Sequence, residues 1–292
     1  FRSPILGGGH MSERQPASAP FRAACITLCS GRDPARNIEA ASDLVRDAVA
    51  DGAQIVFTPE NTLVMEAGGR QIFEVTRPED ETPAVSQLAA LAQDLGIWLN
   101  VGSLAIKVAA DKVANRSFLM GPDGRIHARY DKIHMFDVEL PNGETYEESR
   151  NYRPGGEAVV ADTPFGRLGL TICYDLRFPH LYRALAKAGA SYLTVPSAFT
   201  QVTGDAHWHV LLRARAIETG CFVFAAAQSG THENGRKTFG HSLIVGPWGD
   251  VLADGGPQTG VVTADIDPAR VSEARGRIPA LQHDRDFGLP DA

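Results

Sequence analysis

The sequence predicts an α/β fold, with helices packed outside a core of strands. Three observations predict it. Apolar runs of strand length alternate with longer segments of helical periodicity along most of the chain. No repeat, low-complexity tract or linker divides the 292 residues. The composition, 43% hydrophobic and 22% charged, is that of a soluble globular protein. A chain of this length buries about three quarters of its unfolded surface, so it needs no covalent staple.

The elements follow in order. Residues 1–10 (FRSPILGGGH) precede Met11 and lack the basic start and apolar core of a signal peptide. They read as an expression remnant or disordered lead, with Met11 the expected native start, residues 1–20 outside the fold, and 21–292 as one domain. Residues 21–29 (FRAACITLC) read as a first strand. Ile38, Ala41, Leu44, Val45 and Ala48 recur at helical spacing, which predicts a helix over 36–50. The short run 53–58 has an apolar, partly β-branched centre and reads as a buried strand. A helix over 82–95 is ended by Gly96. Strands follow near 97–103, 114–120 and 125–130, the last two joined by the GPDG turn at 121–124.

Residues 132–156 are mostly polar and lack clear periodicity, and a loop that long in a compact domain is expected to be functional. The alternation then resumes. Strands are expected at 159–161, 168–173 and 191–195, and helices at 179–189 and 207–219. Strands at 221–227, 240–246 and 260–266 complete the pattern, with a turn at 247–250 (PWGD).

Bulk properties exclude several function classes. The net charge is -7 and no Lys/Arg cluster offers a nucleic-acid footprint. No run of 18 apolar residues exists, so no membrane-crossing helix is expected. The four cysteines (Cys25, Cys29, Cys173 and Cys221) form no CxxC pair and no zinc-site spacing. Free thiols in a reducing cytosol are the expectation, with Cys25 and Cys221 as packing residues and no metal or cofactor.

The chemistry concentrates at strand ends. Cys173 ends the run 168–172, and a helix begins near Pro179. A strand-to-helix turn exposes a nucleophile on a rigid scaffold, and backbone N–H groups beyond it can face an oxyanion. A cysteine in that position is often inert packing. The polar continuation Tyr174-Asp175-Leu176-Arg177 argues against a core location. Glu60 stands just past the strand 53–58, where Pro59 stops the ladder; the alternative is a solvated loop acid or a helix cap. Lys132 follows the strand 125–130, and the alternative is an ordinary surface lysine. His134 is a candidate base or a plain loop histidine. If those strands run the same way, their ends bring together a thiol, a base and a cation, the set a cysteine nucleophile needs.

Three motifs occur in order: PEN at 59–61, YDKIHMFDV at 130–138 and CYDLRFP at 173–179. Further stretches are AHWHVLLRARAIETGCFVFAAAQ at 206–228 and FGHSLIVGPWGDVLA at 239–253. On these motifs the chain, from about residue 22 to its end, resembles the nitrilase (carbon–nitrogen hydrolase) superfamily, and its Nit branch above all. The resemblance implies a four-layer αββα sandwich, usually a homodimer pairing through one helical face. It carries a catalytic triad onto Glu60, Lys132 and Cys173. A further active-site glutamate falls best on Glu148, with Glu147 a close competitor.

The activity implied is hydrolysis of a small amide to acid and ammonia through a thioester, without metal or organic cofactor. Lys132 and the Tyr174 N–H would hold the oxyanion. Arg177 would pair with a substrate carboxylate, or else form a structural salt bridge. His207 and Trp208 would line the pocket, or else belong to the core. Within the branch, 213–219 and 225–228 resemble deaminated glutathione amidases rather than ω-amidases. An N-carbamoyl-amine hydrolase, a non-catalytic interaction protein of this fold and a thiol redox protein are the competing readings.

Overall fold

The computed structural model describes residues 19–65 and 71–288. The lead expected over 1–20 therefore lies, apart from its last two residues, outside the described residues. In chain order the strands are β1 (Phe21–Thr27), β2 (Ile55–Phe57), β3 (Trp98–Ala109), β4 (Lys112–Met120), β5 (Ile126–Asp131), β6 (Asp137–Glu139), β7 (Thr145–Glu147) and β8 (Val159–Thr163). They continue as β9 (Gly166–Leu170), β10 (Tyr192–Thr194), β11 (Phe222–Ala225), β12 (Ser229–Thr231), β13 (Lys237–Phe239), β14 (Leu243–Val245), β15 (Val251–Asp254) and β16 (Gly260–Ile266). The helices are α1 (Pro34–Ala50), α2 (Gln71–Val75), α3 (Pro83–Leu95), α4 (Pro179–Lys187), α5 (Gln201–Thr219) and α6 (Ala269–Arg277).

Two six-stranded sheets form the centre, in the orders β16-β1-β2-β3-β4-β5 and β15-β14-β11-β10-β9-β8. Strand periodicity decides what lies on each face. On β1, Phe21, Ala23 and Cys25 point toward the second sheet, while Ala24 and Ile26 point to the cluster under α1 and α3. Ile55 and Phe57 on β2 face the second sheet, and Val56 faces the helices. Phe57 stacks on Phe224 of β11 with ring centroids 4.4 Å apart, which joins the two sheets. On the far side Leu181, Tyr182 and Leu185 of α4 and Trp208 and Leu212 of α5 cover the second sheet. The result is the four-layer αββα sandwich, with β11 buried along its whole length.

Strand directions position the candidate residues. β2 is parallel to β3, β3 is antiparallel to β4, and β4 is antiparallel to β5. β2 and β5 therefore point the same way, and Glu60 and Lys132 leave the first sheet at one edge. A bulge in β3 between Val101 and Leu104 receives the turn that carries Glu60. There Gly102 N donates to Thr58 Oγ1 at 3.0 Å, and Asn61 N donates to Ser103 Oγ at 3.0 Å. A Cβ on Gly102 would lie 2.0 Å from the Thr58 carbonyl oxygen and 2.5 Å from that of Pro59. Gly102→Ala is thus expected to destabilise the protein by about 1–3 kcal/mol and to displace Glu60. Denaturant unfolding checks this; an unchanged midpoint would mean that the turn can move without cost.

Several expected elements differ from those observed. The strand expected to end at 103 continues to Ala109, because the bulge interrupts its pattern without ending it. The strand expected over 168–173 ends at Leu170, and Cys173 opens a 3₁₀ turn instead. The helix expected from 207 begins at Gln201, with Thr200 capping it through Thr203 N. Gly204 disguises that first turn; it is there because Phe239 packs against its backbone, where a Cβ would sit 2.2 Å away. Residues 132–156 are not irregular throughout: they contain the β6–β7 hairpin and a 3₁₀ turn over Glu148–Arg150. Both are largely exposed, so no hydrophobic alternation marks them. α2, α6, β12, β13 and β15 were not anticipated either, being short or half-exposed.

Candidate active site

Where Glu60 leaves the first sheet, a cavity of about 390 Å³ opens to solvent. Glu60, Lys132, Glu148, Cys173, Tyr174 and Arg177 all line it. Cys173 sits at the tip of a sharp turn. Its N–H donates to Pro196 O at 2.9 Å and its backbone is left-handed, φ 50°. A non-glycine residue there is strained, which is how a strand-to-helix elbow presents a side chain.

Lys132 is 2% exposed, and its charge survives burial because two carboxylates meet it. Its Nζ donates to Glu60 Oε1 at 2.9 Å and to the Glu148 oxygens at 3.0 and 2.8 Å. Asn115 on β4 donates Nδ2 to the same two groups, at 2.9 Å to Glu60 Oε1 and 3.3 Å to Glu148 Oε1. Glu60 Oε2 accepts from Ala198 N at 2.9 Å, and Glu148 Oε2 accepts from Phe136 N at 2.7 Å. Donors thus saturate both carboxylates on every side but one. On that side Glu60 and the Cys173 thiol are close enough to act on each other.

The electrostatics follow. Burial, and then the Glu60 carboxylate, push the Cys173 thiol well above its ordinary range, with Lys132 only partly opposing them. Both effects favour the protonated sulfur at rest. Burial alone would raise the Glu60 carboxyl, but the charge of Lys132 and the hydrogen bonds from Cys173 and Lys132 outweigh it and hold Glu60 low. Burial likewise opposes the Lys132 charge, while Glu148 and Glu60 raise it well above the ordinary lysine range. The site holds a neutral thiol, an ionised acceptor for its proton, and a fixed cation.

The remaining sequence candidates separate. Glu148 reaches Lys132, whereas Glu147 is exposed and 3.8 Å from Arg150. His134 does not face the thiol. Its Nδ1 lies 2.7 Å from Asp175 Oδ1 and its ring stacks on Phe178 at 3.5 Å. Asp175 also accepts from Tyr130 OH, Ile172 N and His134 N, tying the Lys132 strand end to the cysteine turn. Arg177 makes no salt bridge among the described residues; its Nη atoms lie 3.3 Å from His207 Nδ1 and its Cζ sits 5.4 Å from the Phe199 ring centroid. His207 is exposed and outside the cavity wall. Trp208 is also outside it, buried in the core with Nε1 donating to His241 O at 2.8 Å. Helical periodicity turns residue 208 toward the second sheet and 207 away from it.

Sequence reasoning missed Asn115 and Arg236. Asn115 is followed by Arg116 and Ser117 in β4, so its polarity gives no contrast that would single it out in the sequence. Arg236 lies between β12 and β13 just after Asn234-Gly235, a pattern that marks a turn but does not say where the next side chain goes. Cys25, Cys173 and Cys221 are free and buried, and Cys29 is free and exposed. Among the described residues, one group that could hold a cation, His209, His241 and Asp254, lies away from this cavity.

Comparison with known proteins places this geometry. Residues 22–276 match the family model described as carbon-nitrogen hydrolase. The chain is 40% identical over 265 residues to a deaminated glutathione amidase of Yersinia enterocolitica, covering 90% of this chain and 92% of that protein. It is similar to the crystal structure of the C. elegans NitFhit protein, with a TM-score of 0.86 and 37% identity over 92% of this chain and 66% of that longer one. It is also similar to a mutant amidase from Nesterenkonia sp. AN1 showing covalent addition of the acetamide moiety of fluoroacetamide at the active site cysteine. That likeness has a TM-score of 0.78 and 27% identity, covering 92% of this chain and 95% of the other. The chain belongs to the carbon–nitrogen hydrolase family.

Proposed function

We propose that this hydrolase is a cysteine-dependent amidase that cleaves a small carboxylate-bearing amide, with deaminated glutathione its leading substrate. The observation that carries the reading is the Cys173 thiol sharing one cavity with a Glu60 carboxylate that Lys132, Asn115 and Ala198 N hold in place. As sulfur attacks the amide carbonyl, its proton passes to Glu60. Lys132 Nζ and the Tyr174 N–H stabilise the oxyanion. Glu60 returns the proton to the leaving nitrogen, the C–N bond breaks and a thioester remains. Water then gives a proton to Glu60 and attacks the thioester, which releases the acid and regenerates the thiol. Glu148 keeps Lys132 charged and aimed. Each positioned proton transfer contributes about 10²–10⁴-fold in rate.

The substrate reading is supported by the name of the Yersinia relative and by Arg177, a guanidinium at the cavity without a carboxylate partner. Ammonia is the leaving group only for primary amides; cleaving the γ-amide of deaminated glutathione releases cysteinylglycine. The test therefore reads both 2-oxo acid and ammonia. Its panel is deaminated glutathione, 2-oxoglutaramate, 2-oxosuccinamate, N-carbamoyl-β-alanine and a simple nitrile. A preference for either of the last two would overturn the reading. Arg177→Ala should lower kcat/KM for a 2-oxo acid amide roughly 30-fold relative to a neutral amide, the loss of about 2 kcal/mol for a desolvated pair. Equal losses on both would make Arg177 structural.

We also propose a homodimer in a reducing cytoplasm. Val210 (68% exposed) and Ile217 (55%) on α5, with Trp248 (53%) and Ile278 (58%), are apolar surface suited to a second copy. Free cysteines suit the compartment. Among the described residues no helix is long and apolar enough to cross a membrane. Light scattering that finds a monomer at working concentrations would end the dimer proposal.

A further inference from the structure

The cavity holds a second arginine that the proposed mechanism leaves unused. Arg236 projects from the turn between β12 and β13 into the cavity wall. Its Nη2 donates to Ala198 O at 2.5 Å. Among the described residues its Nη1 has only the Met65 sulfur, at 4.0 Å, and its Nε is buried without a partner. The Cζ lies 5.2 Å from the Tyr146 ring centroid. No salt bridge to a carboxylate is formed by Arg236 among the described residues, whereas Arg116 is gripped by both Asp131 and Glu79. A half-buried guanidinium with one good hydrogen bond for five donors is under-solvated.

Arg177 shares this state, and Lys132 is already neutralised by Glu60 and Glu148. The two arginines are thus the cations open to a ligand. Glu144 and Glu147 also line the cavity, but both are exposed at its mouth; Glu144 accepts from Tyr146 OH and Glu147 lies by Arg150. Both guanidiniums border the chain segment that holds Glu60: Arg177 packs on Phe199, Arg236 bonds Ala198 O, and Ala198 N donates to Glu60. Of the two, Arg236 is bonded to Ala198 itself, the residue whose N–H holds Glu60. A leaving nitrogen must approach Glu60 for its proton, so the leaving amine lies on the Arg236 side.

We propose that Arg236 recognises a carboxylate on the leaving amine, so that the preferred substrates are amides with two carboxylates, one on the acyl part at Arg177 and one on the amine at Arg236. This rests on the carboxylate-bearing amidase reading above and deepens it.

The test uses a matched pair: deaminated glutathione and its C-terminal glycinamide analogue, which share the scissile bond and differ by one carboxylate. The native enzyme should favour the diacid at least about tenfold in kcat/KM. Arg236→Met should erase that preference, and Arg236→Lys should retain part of it. A ratio is read because any general effect of Arg236 through Glu60 cancels within it. A native enzyme that cleaves both equally well overturns the proposal without any variant being needed. So does Arg236→Met, or Arg236→Gln if the former does not fold, losing rate on both amides with the ratio intact. Failure of the native enzyme to cleave either amide instead sinks the parent reading.

Discussion

Cys173→Ala is expected to lower amide hydrolysis by about 10⁴-fold or more while the protein stays folded. The size of the loss follows from removing the atom that bonds the acyl group, for which no neighbouring side chain can substitute. Cys25 and Cys221 are buried in the core, and Cys29 lies beside Thr231 and His232 rather than in the cavity. Preservation of the fold follows from the small change in volume at the edge of a cavity already open to solvent. Product formation and a thermal melt check the two halves separately. A variant that keeps a large share of its turnover would remove the cysteine from the mechanism. One that melts early would show that the left-handed turn at Cys173 needs the thiol beside Glu60.

Much of this arrangement was legible in the chain, for identifiable reasons. β1 and β2 could be read because each is buried and mostly apolar over a continuous run, and the half-buried β16 because its centre is β-branched. Glu60, Lys132 and Cys173 could be located because each follows an expected strand and each falls in one of the three motifs PEN, YDKIHMFDV and CYDLRFP. What failed has physical causes. The β6–β7 hairpin and β12–β13 turn carry Glu148 and Arg236 to the cavity, yet neither is packed against the core in a way that imposes a period on its sequence. Trp208 was offered to the pocket on aromatic character alone, and helix phase sends it to the core. The sequence is compatible with Arg177 facing either a substrate carboxylate or a structural acid; among the described residues it pairs with no carboxylate. That outcome depended on where distant acids fell, which local sequence does not encode.

Glu60→Gln should abolish both halves of the reaction, with no burst of acyl-enzyme and no thioester hydrolysis. Each half passes a proton through this one carboxylate. The amide cannot take that proton, and its NH₂ would face at least one of three groups that already donate: Lys132 Nζ, Asn115 Nδ2 and Ala198 N. A donor opposite a donor adds a stability loss of about 1–3 kcal/mol to the catalytic one. The pH profile gives an independent sign. Native Glu60 is held below the ordinary carboxylate range because Lys132 and the other groups around it together outweigh burial. A depressed folded pKa means that both the base and its stabilising contribution are present above the unfolded value and are lost as pH falls through the folded one. The acid limb of native kcat/KM should therefore lie below about pH 4.3, the value of a free glutamate. Lys132→Met removes the opposing charge and leaves burial dominant, so in that crippled enzyme the acid limb should move upward toward neutral pH. Rapid-quench detection of a normal acyl burst in Glu60→Gln would place the base elsewhere. His134 could serve only after breaking from Asp175 and Phe178. An acid limb unmoved by Lys132→Met would mean that Asn115 and the Ala198 N–H, not the lysine, keep Glu60 ionised.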